Sequence, residues 1–250
     1  MFLGETWLEE ARLSNIRDSL QFGHYHGVSR ITRGGGLALF WKNGFTLDVE
    51  SLSQNHIDVV INKGKDNAWC FTGIYGAPET HLRSETWELI CGLHRHESLP
   101  WLYGGDFNEI LKSHEKSGGK LRPYSQIEQF REVLDECNLL DLGFSINKFT
   151  WSRTYPNGGM VWERLDRVVC MAEWYDLFPS TCVQTLTYVS SDHNPICIRL
   201  EGIEVKTLRP WRFEQMRLED SRCRDTVVQT WDRFVMGSPM EIVVTKWEAC

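Results

Sequence analysis

The sequence predicts an α/β (α+β) domain, on three observations. Short β-forming runs follow one another in the first third of the chain, and amphipathic windows with helical spacing lie between and after them. An apolar run, Leu99 to Tyr103, then opens onto Gly104-Gly105-Asp106-Phe107-Asn108. That stretch reads as a buried strand ending in a small-residue turn that presents a carboxylate, where α/β proteins usually keep their chemistry. In extended chain Asp106 and Asn108 share one face, and the glycines let a phosphate or a hydrated metal come close. Taken alone, the stretch is better explained by a turn whose Asp and Asn cap the next segment. Acids elsewhere in the chain decide between the two.

A length of 250 residues suits one large domain, or one domain with an appendage. A hydrophobic content of 42% and a charged content of 24% place it among soluble globular chains. No apolar stretch approaches the roughly 20 residues that span a bilayer, and Met1-Phe2-Leu3-Gly4-Glu5 carries no signal-peptide core. No membrane association or secretion is expected. The eight cysteines stand singly without a Cys-x-x-Cys pair, which predicts free thiols in a reducing compartment rather than a zinc cluster. A net charge of −7 argues against a general nucleic-acid coat and leaves room for one local basic surface.

In chain order, Trp7 to Leu20 has Leu8, Ile16 and Leu20 roughly on one helical face, with Glu5 as an acid ahead of it. Gly34-Gly35-Gly36 introduces a strand, Leu37 to Trp41; without a following Lys-Ser/Thr it is a turn and not a phosphate-binding loop. Thr46–Glu50, His56–Asn62 and Ala68–Tyr75 are further strands. Four strands in succession suggest antiparallel pairing, with Tyr75 at a strand end. Leu82 to His96 reads as a helix. Lys112 to Arg122 carries four basic side chains against one acid: a solvated loop by default, or, beside a metal site, a track for a phosphodiester backbone through Lys116, Lys120 and Arg122. Ser125-Gln126-Ile127-Glu128 has the pattern of a capping box opening a helix to about Cys137.

Phe149–Ser152 and Val161–Val169 read as strands around a hairpin loop, Arg153 to Gly159. Asp166 falls inside the second apolar run, where an unpaired carboxylate is costly, so it needs a cation or a histidine. Ala172–Phe178 reads as a helix and Cys182–Tyr188 as a strand, and Asp192-His193 precedes a last strand, Ile196–Leu200. Residues 1–202 form one domain by this reading, and 203–250 a helical, amphipathic appendage.

Four acids near strand ends (Glu5, Asp106, Asp166, Asp192) with His193, Asn108 and Tyr75 make a set suited to phosphate-ester hydrolysis. Carboxylate oxygens with few histidines and no thiolates suit Mg²⁺ or Mn²⁺. A carboxylate-paired histidine can neutralise a developing phosphorane while another acid activates water.

Five ordered blocks, Phe-Leu-Gly-Glu5-Thr, Tyr75 before a Pro loop, Gly-Gly-Asp106-Phe-Asn108, Arg-Leu-Asp166-Arg-Val and Ser-Asp192-His193-Asn-Pro-Ile, resemble the endonuclease/exonuclease/phosphatase family. Gly-Gly-Gly-Leu-Ala-Leu-Phe-Trp, Glu-Lys-x-Gly-Gly, Phe-Thr-Trp and Pro-Trp-Arg-Phe-Glu-Gln-Met are similar to the apurinic-type endonuclease domain of plant non-LTR (LINE-type) retrotransposons. The resemblance implies a four-layered α/β sandwich of two face-to-face β-sheets flanked by helices. It implies that Glu5 holds the metal with Asp192 nearby, and that Asp106 orients or deprotonates the attacking water. Asn108 would steady that water, while His193, held by Asp166, and Tyr75 would contact the phosphate. The Arg153–Gly159 hairpin sits where relatives insert a loop into a DNA groove.

Two departures from the family stand out. Relatives begin with a strand carrying a Trp-Asn motif, for which four residues before Glu5 leave no room, so the N-terminal strand is expected to be missing and activity impaired. Relatives often carry an Asn after the tyrosine loop, where this chain has Pro78-Glu79. The implied function is a Mg²⁺-dependent DNA endonuclease nicking target DNA for retrotransposition, in the nucleus if it acts on DNA and otherwise cytoplasmic. The reverse transcriptase expected to follow the tail is not in this chain. The alternatives are a catalytically impaired remnant that binds nucleic acid or a partner, and a phosphatase of small phosphate esters.

Overall fold

The computed structural model describes residues 1–29, 35–94, 99–156, 158–188, 191–202, 221–236, 242–243 and 245–246. Gly34, Arg95, His96, Asn157, Ser190 and the Pro210-Trp211-Arg212-Phe213 segment lie outside the described residues. The chain divides into two compact units, Met1–Ile203 and Glu204–Cys250.

The first unit runs β1 (Phe2–Leu3), α1 (Glu10–Ser19), β2 (His24–Val28), β3 (Leu37–Trp41), β4 (Leu47–Leu52), β5 (His56–Ile61), β6 (Trp69–Tyr75), α2 (Arg83–His94) and β7 (Trp101–Asp106). It continues with β8 (Lys116–Ser117), α3 (Tyr124–Glu136), β9 (Leu140–Asp141), β10 (Trp151–Thr154), β11 (Met160–Glu163), β12 (Asp166–Cys170), α4 (Ala172–Leu177), β13 (Cys182–Thr185) and β14 (Ile196–Arg199). The second unit contains α5 (Ser221–Asp232).

A six-stranded sheet ordered β4-β5-β6-β7-β12-β9 is the centre of the fold. The meander β4-β5-β6 is antiparallel as expected, but β3 leaves it to join β1 and β2 in a separate sheet ordered β1-β3-β2. The alternation of side chains explains the layering. Leu37 and Leu39 of β3 meet Ile57 and Val59 of β5 in one apolar cluster, while Ala38 and Phe40 turn the other way onto Leu13 of α1. On the opposite face of the large sheet, Val60, Ile74, Trp101 and Tyr103 pack against Trp87 and Ile90 of α2 and Phe130 and Leu134 of α3. The layers are therefore helix, sheet, sheet, helix.

The layer facing the large sheet is divided. β13 and β14 form their own two-stranded sheet, packed through Val183, Ile196 and Ile198 onto Leu102 and Val168. Phe71 of β6 packs into both this cluster and the one beneath β1-β3-β2.

Several expected elements end elsewhere, each for a local reason. The first helix begins at Glu10 instead of Trp7, because Glu5 and Trp7 have left-handed backbone (φ 49° and 53°), with the Thr6 and Trp7 N–H groups donating to Gly36 O and Gly35 O. α3 starts at Tyr124 behind Pro123, which supplies no side-chain cap, so Ser125 opens no capping box. The run Val161–Val169 breaks at Arg164-Leu165, sending β11 to a small sheet with β10 and β8 and β12 to the central sheet. Cys91, Cys170, Cys182 and Cys197 are free thiols. Among the described residues no helix is long and apolar enough to cross a membrane.

Candidate active site

Three neighbouring strands bring the acids together. β7 lies between β6 and β12, and the register sets Asp106 opposite both Tyr75 and Asp166. β6 and β7 run parallel, so both end at the same edge of the sheet, and β12, antiparallel, begins there. The β6–β7 approach depends on glycine: at Gly105 (φ 144°) a Cβ would lie 2.1 Å from Ile74 O, and at Gly76 one would lie 2.6 Å from Phe107 O.

Asn108 holds the Asp106 carboxylate, with its backbone N–H on Oδ1 and its Nδ2 on Oδ2, both at 2.8 Å. The same Nδ2 also donates to Gly76 O at 2.8 Å. Asn108 itself has left-handed backbone (φ 55°), a conformation asparagine tolerates better than most residues. The Tyr75 hydroxyl donates to Glu5 Oε1 across 70 residues of sequence, joining β1's end to β6.

His193 completes the cluster. Its Nδ1 lies 2.8 Å from Asp166 Oδ2 and its Nε2 faces Asp106 Oδ2 at 4.0 Å. Thr150 locks this arrangement: its Oγ1 accepts the N–H groups of Leu165 (3.0 Å) and Asp166 (2.9 Å), and its carbonyl accepts from Asn194 N at 2.6 Å. Asp192 sits beside it, Oδ2 accepting from Trp151 Nε1 at 3.0 Å. Thr150 and Trp151 lie in the Phe-Thr-Trp block, but their roles come from backbone groups and a loop distant in sequence, so no local pattern announces them.

The electrostatics follow from this crowding. Burial first, then the facing Asp166 charge, raises the Asp106 carboxyl to about 8, with Glu5 adding to the shift and His193 opposing it. Burial alone would lower the His193 imidazolium, but the hydrogen bond and charge of Asp166, then Asp106 and Asp192, outweigh it and hold the ring up at about 9. Burial and the hydrogen bond to Glu5 raise Tyr75 above its ordinary value, so the hydroxyl keeps its proton at any working pH.

The expected DNA-facing bases separate into two kinds. Lys116 and Arg122 do not stand in a solvated loop: both reach Glu163 Oε1, Arg122 Nη2 at 2.9 Å, and Arg122 Nε also lies 3.0 Å from the buried Glu109. These charges hold loop to core and leave little to offer a phosphate backbone. Lys120 and Arg153 are exposed, the Arg153 guanidinium lying 5.6 Å over the Tyr155 ring.

Comparison with known proteins bears on this geometry. A family model, the Endonuclease/Exonuclease/phosphatase family, matches residues 1–193. Among solved structures, the chain is similar to the endonuclease domain of TRAS1, a telomere-specific non-LTR retrotransposon (16% identity, 78% of this chain and 92% of that one, TM-score 0.56). It is similar to an AP endonuclease from Archaeoglobus fulgidus (12%, 79% and 87%, TM-score 0.58). It is also similar to the 3′ phosphatase NExo from Neisseria, solved with a product DNA hairpin (13%, 79% and 87%, TM-score 0.54). A search of curated protein sequences finds no match.

Proposed function

Because this chain belongs to the endonuclease/exonuclease/phosphatase family, we propose that its site hydrolyses a phosphodiester and that the substrate is DNA, nicked by attack of water. The observation that carries the reading is the line Asp166–His193–Asp106: a carboxylate that holds an imidazolium, facing a second carboxylate raised toward neutrality.

Asp106 has the proton affinity a base needs near neutral pH, and Asn108 fixes its orientation. It takes a proton from the attacking water. His193, protonated and pinned through Nδ1 to Asp166, presents Nε2 as a charged donor to a phosphoryl oxygen. Tyr75 serves as a hydrogen-bond donor and not as a nucleophile, since its proton is held tightly.

The donor set fits a divalent cation. Glu5 and Asp106 are close enough for the Glu5 charge to raise Asp106, a repulsion a cation relieves. Mg²⁺ is commonly held by one or two carboxylates with waters. Glu5, joined on the family resemblance by Asp192, would hold Mg²⁺ or Mn²⁺, which would supply positive charge to the phosphate when bound.

The motifs shared with plant non-LTR retrotransposon endonucleases support target nicking for insertion, ahead of a reverse transcriptase segment, in the nucleus. The exposed Lys120 and Arg153 favour nucleic acid over a small phosphate ester. A second reading, an impaired remnant that binds nucleic acid or a partner, is favoured by the division of the sheet layer above Phe71. Nicking of supercoiled plasmid with Mg²⁺, lost in Asp106→Ala and His193→Ala, tests the first reading. Folded protein that binds DNA and leaves it intact selects the second.

A further inference from the structure

Helix α2 opens on Arg83, which is buried at 6% exposure although it carries a full charge. Its guanidinium has three partners. Nη1 donates to Glu109 Oε2, Nη2 to Pro78 O at 3.3 Å, and Nε to Ala77 O at 3.4 Å. Glu109, fully buried, follows Asn108 directly, and its Oε1 accepts the Ile110 N–H at 2.9 Å. Ala77 and Pro78 follow Tyr75 by two and three residues, and Ala77 N–H donates to Thr86 Oγ1 at 3.0 Å.

One side chain therefore grips both segments that leave the site, the one after Tyr75 and the one after Asn108. They meet at Gly76, whose N–H donates to Asp106 O at 2.7 Å and whose carbonyl accepts from Asn108 Nδ2. A buried ion pair is a weak source of net stability, since desolvation offsets its Coulomb attraction and apolar replacements often match it. Its directional property is different: a planar guanidinium can serve a carboxylate and two carbonyls at fixed angles, and an ammonium cannot.

We infer that Arg83 is a positioning residue that, through Glu109 and the Ala77 and Pro78 carbonyls, sets Tyr75 and the Asp106–Asn108 turn at the distance the reaction needs. The inference rests on the phosphodiesterase reading of the site.

The test compares wild type, Arg83→Lys and Arg83→Met in the full chain. It measures kcat and KM for plasmid nicking, Tm, and amide exchange at Gly76. A displacement of about 1 Å at a reacting centre costs about 100-fold in rate, so kcat should fall by that order in Arg83→Met and about tenfold in Arg83→Lys. KM should stay within about threefold, because the substrate-touching groups remain. Tm should stay within about 3 °C for Arg83→Lys, which keeps the charge beside Glu109. Protection of the Gly76 amide should fall about tenfold in both variants against unchanged central strands. Full kcat in Arg83→Lys overturns the inference, because charge alone would then suffice. So does a kcat loss that merely tracks a loss of fold, or Gly76 protection equal to wild type. If Arg83→Met does not fold, Arg83→Lys decides. If wild type does not nick DNA, the phosphodiesterase reading fails, and Gly76 exchange alone still supports or overturns the positioning.

Discussion

Asp106 and Asp166 are direct cross-strand partners in the central sheet, two carboxylates placed where a sheet would ordinarily avoid like charges. The pair holds together because His193 sits against both, with Nδ1 on Asp166 and Nε2 toward Asp106. The chemistry of the site and its cost to the fold both arise from this placement.

The pH dependence of nicking follows. Asp106 must lose its proton to act as a base and His193 must keep its proton to act as a donor. Burial and the facing Asp166 hold the first limb above the ordinary carboxylate range, and Asp166 holds the second above the ordinary imidazole range. Activity should rise through the first, fall through the second, and be greatest between them. Raising the Mg²⁺ concentration should move the acid limb to lower pH, since positive charge beside a carboxylate favours its ionised form. The pH profile of kcat/KM at two metal concentrations measures this.

The same groups set how stability varies with pH. Asp106 is raised from 3.8 and His193 from 6.5, so the native state binds more protons than the unfolded chain across the window up to about 9. Stability is then lost as pH rises through that window. The contribution of His193 is complete below 6.5 and gone above about 9. Asp106→Asn removes that titration, and should abolish nicking while making Tm fall less between pH 6 and pH 9 than in the wild type. Calorimetry of the two proteins from pH 6 to 9 checks it.

Thr150 carries two backbone donors on one buried hydroxyl. Thr150→Val keeps the shape and leaves both donors unpaired, and should cost about 2–4 kcal/mol in urea unfolding, the penalty for stranding buried polar groups. Thr150→Ser should recover most of it.

The basic side chains should divide by partner. Arg153→Ala should lower the slope of log affinity for DNA against log salt by about 1, as removal of one phosphate contact does. Lys116→Ala should leave that slope unchanged and lower stability by about 1–3 kcal/mol, because its charge engages Glu163.

What is legible in the sequence is what chemistry imposes locally. The Gly-Gly-Asp-Phe-Asn turn, the Asp192-His193 pair and the isolated Asp166 stand out because acids, amides and glycines at strand ends have few other uses. Asp166 needs a histidine or a cation by its sequence setting, and His193 lies beside it. What is not legible depends on partners far along the chain. β2 carries little sequence signature because its half-buried positions are only Tyr25 and Gly27, alternating with exposed histidines, and pairing with β3 is what makes it a strand. The 161–169 run reads as one strand, whereas Arg164, bonded to Glu115 and Asp141, turns the chain between two sheets. The loop bases read as solvated because Glu109 and Glu163, which bind them, carry no sequence signal of that role.

The parallel pairing of β6 with β7 has a kinetic consequence. The two strands meet only after α2 has crossed over between them, and Asp166, His193 and Glu5 arrive from still more distant parts of the chain. The site thus belongs to the contacts of highest sequence separation, which close late because loop entropy must be lost before they reward it. Refolding protein should regain its helices and hairpins early and its catalysis last, so recovered turnover is a clock for the final step of assembly.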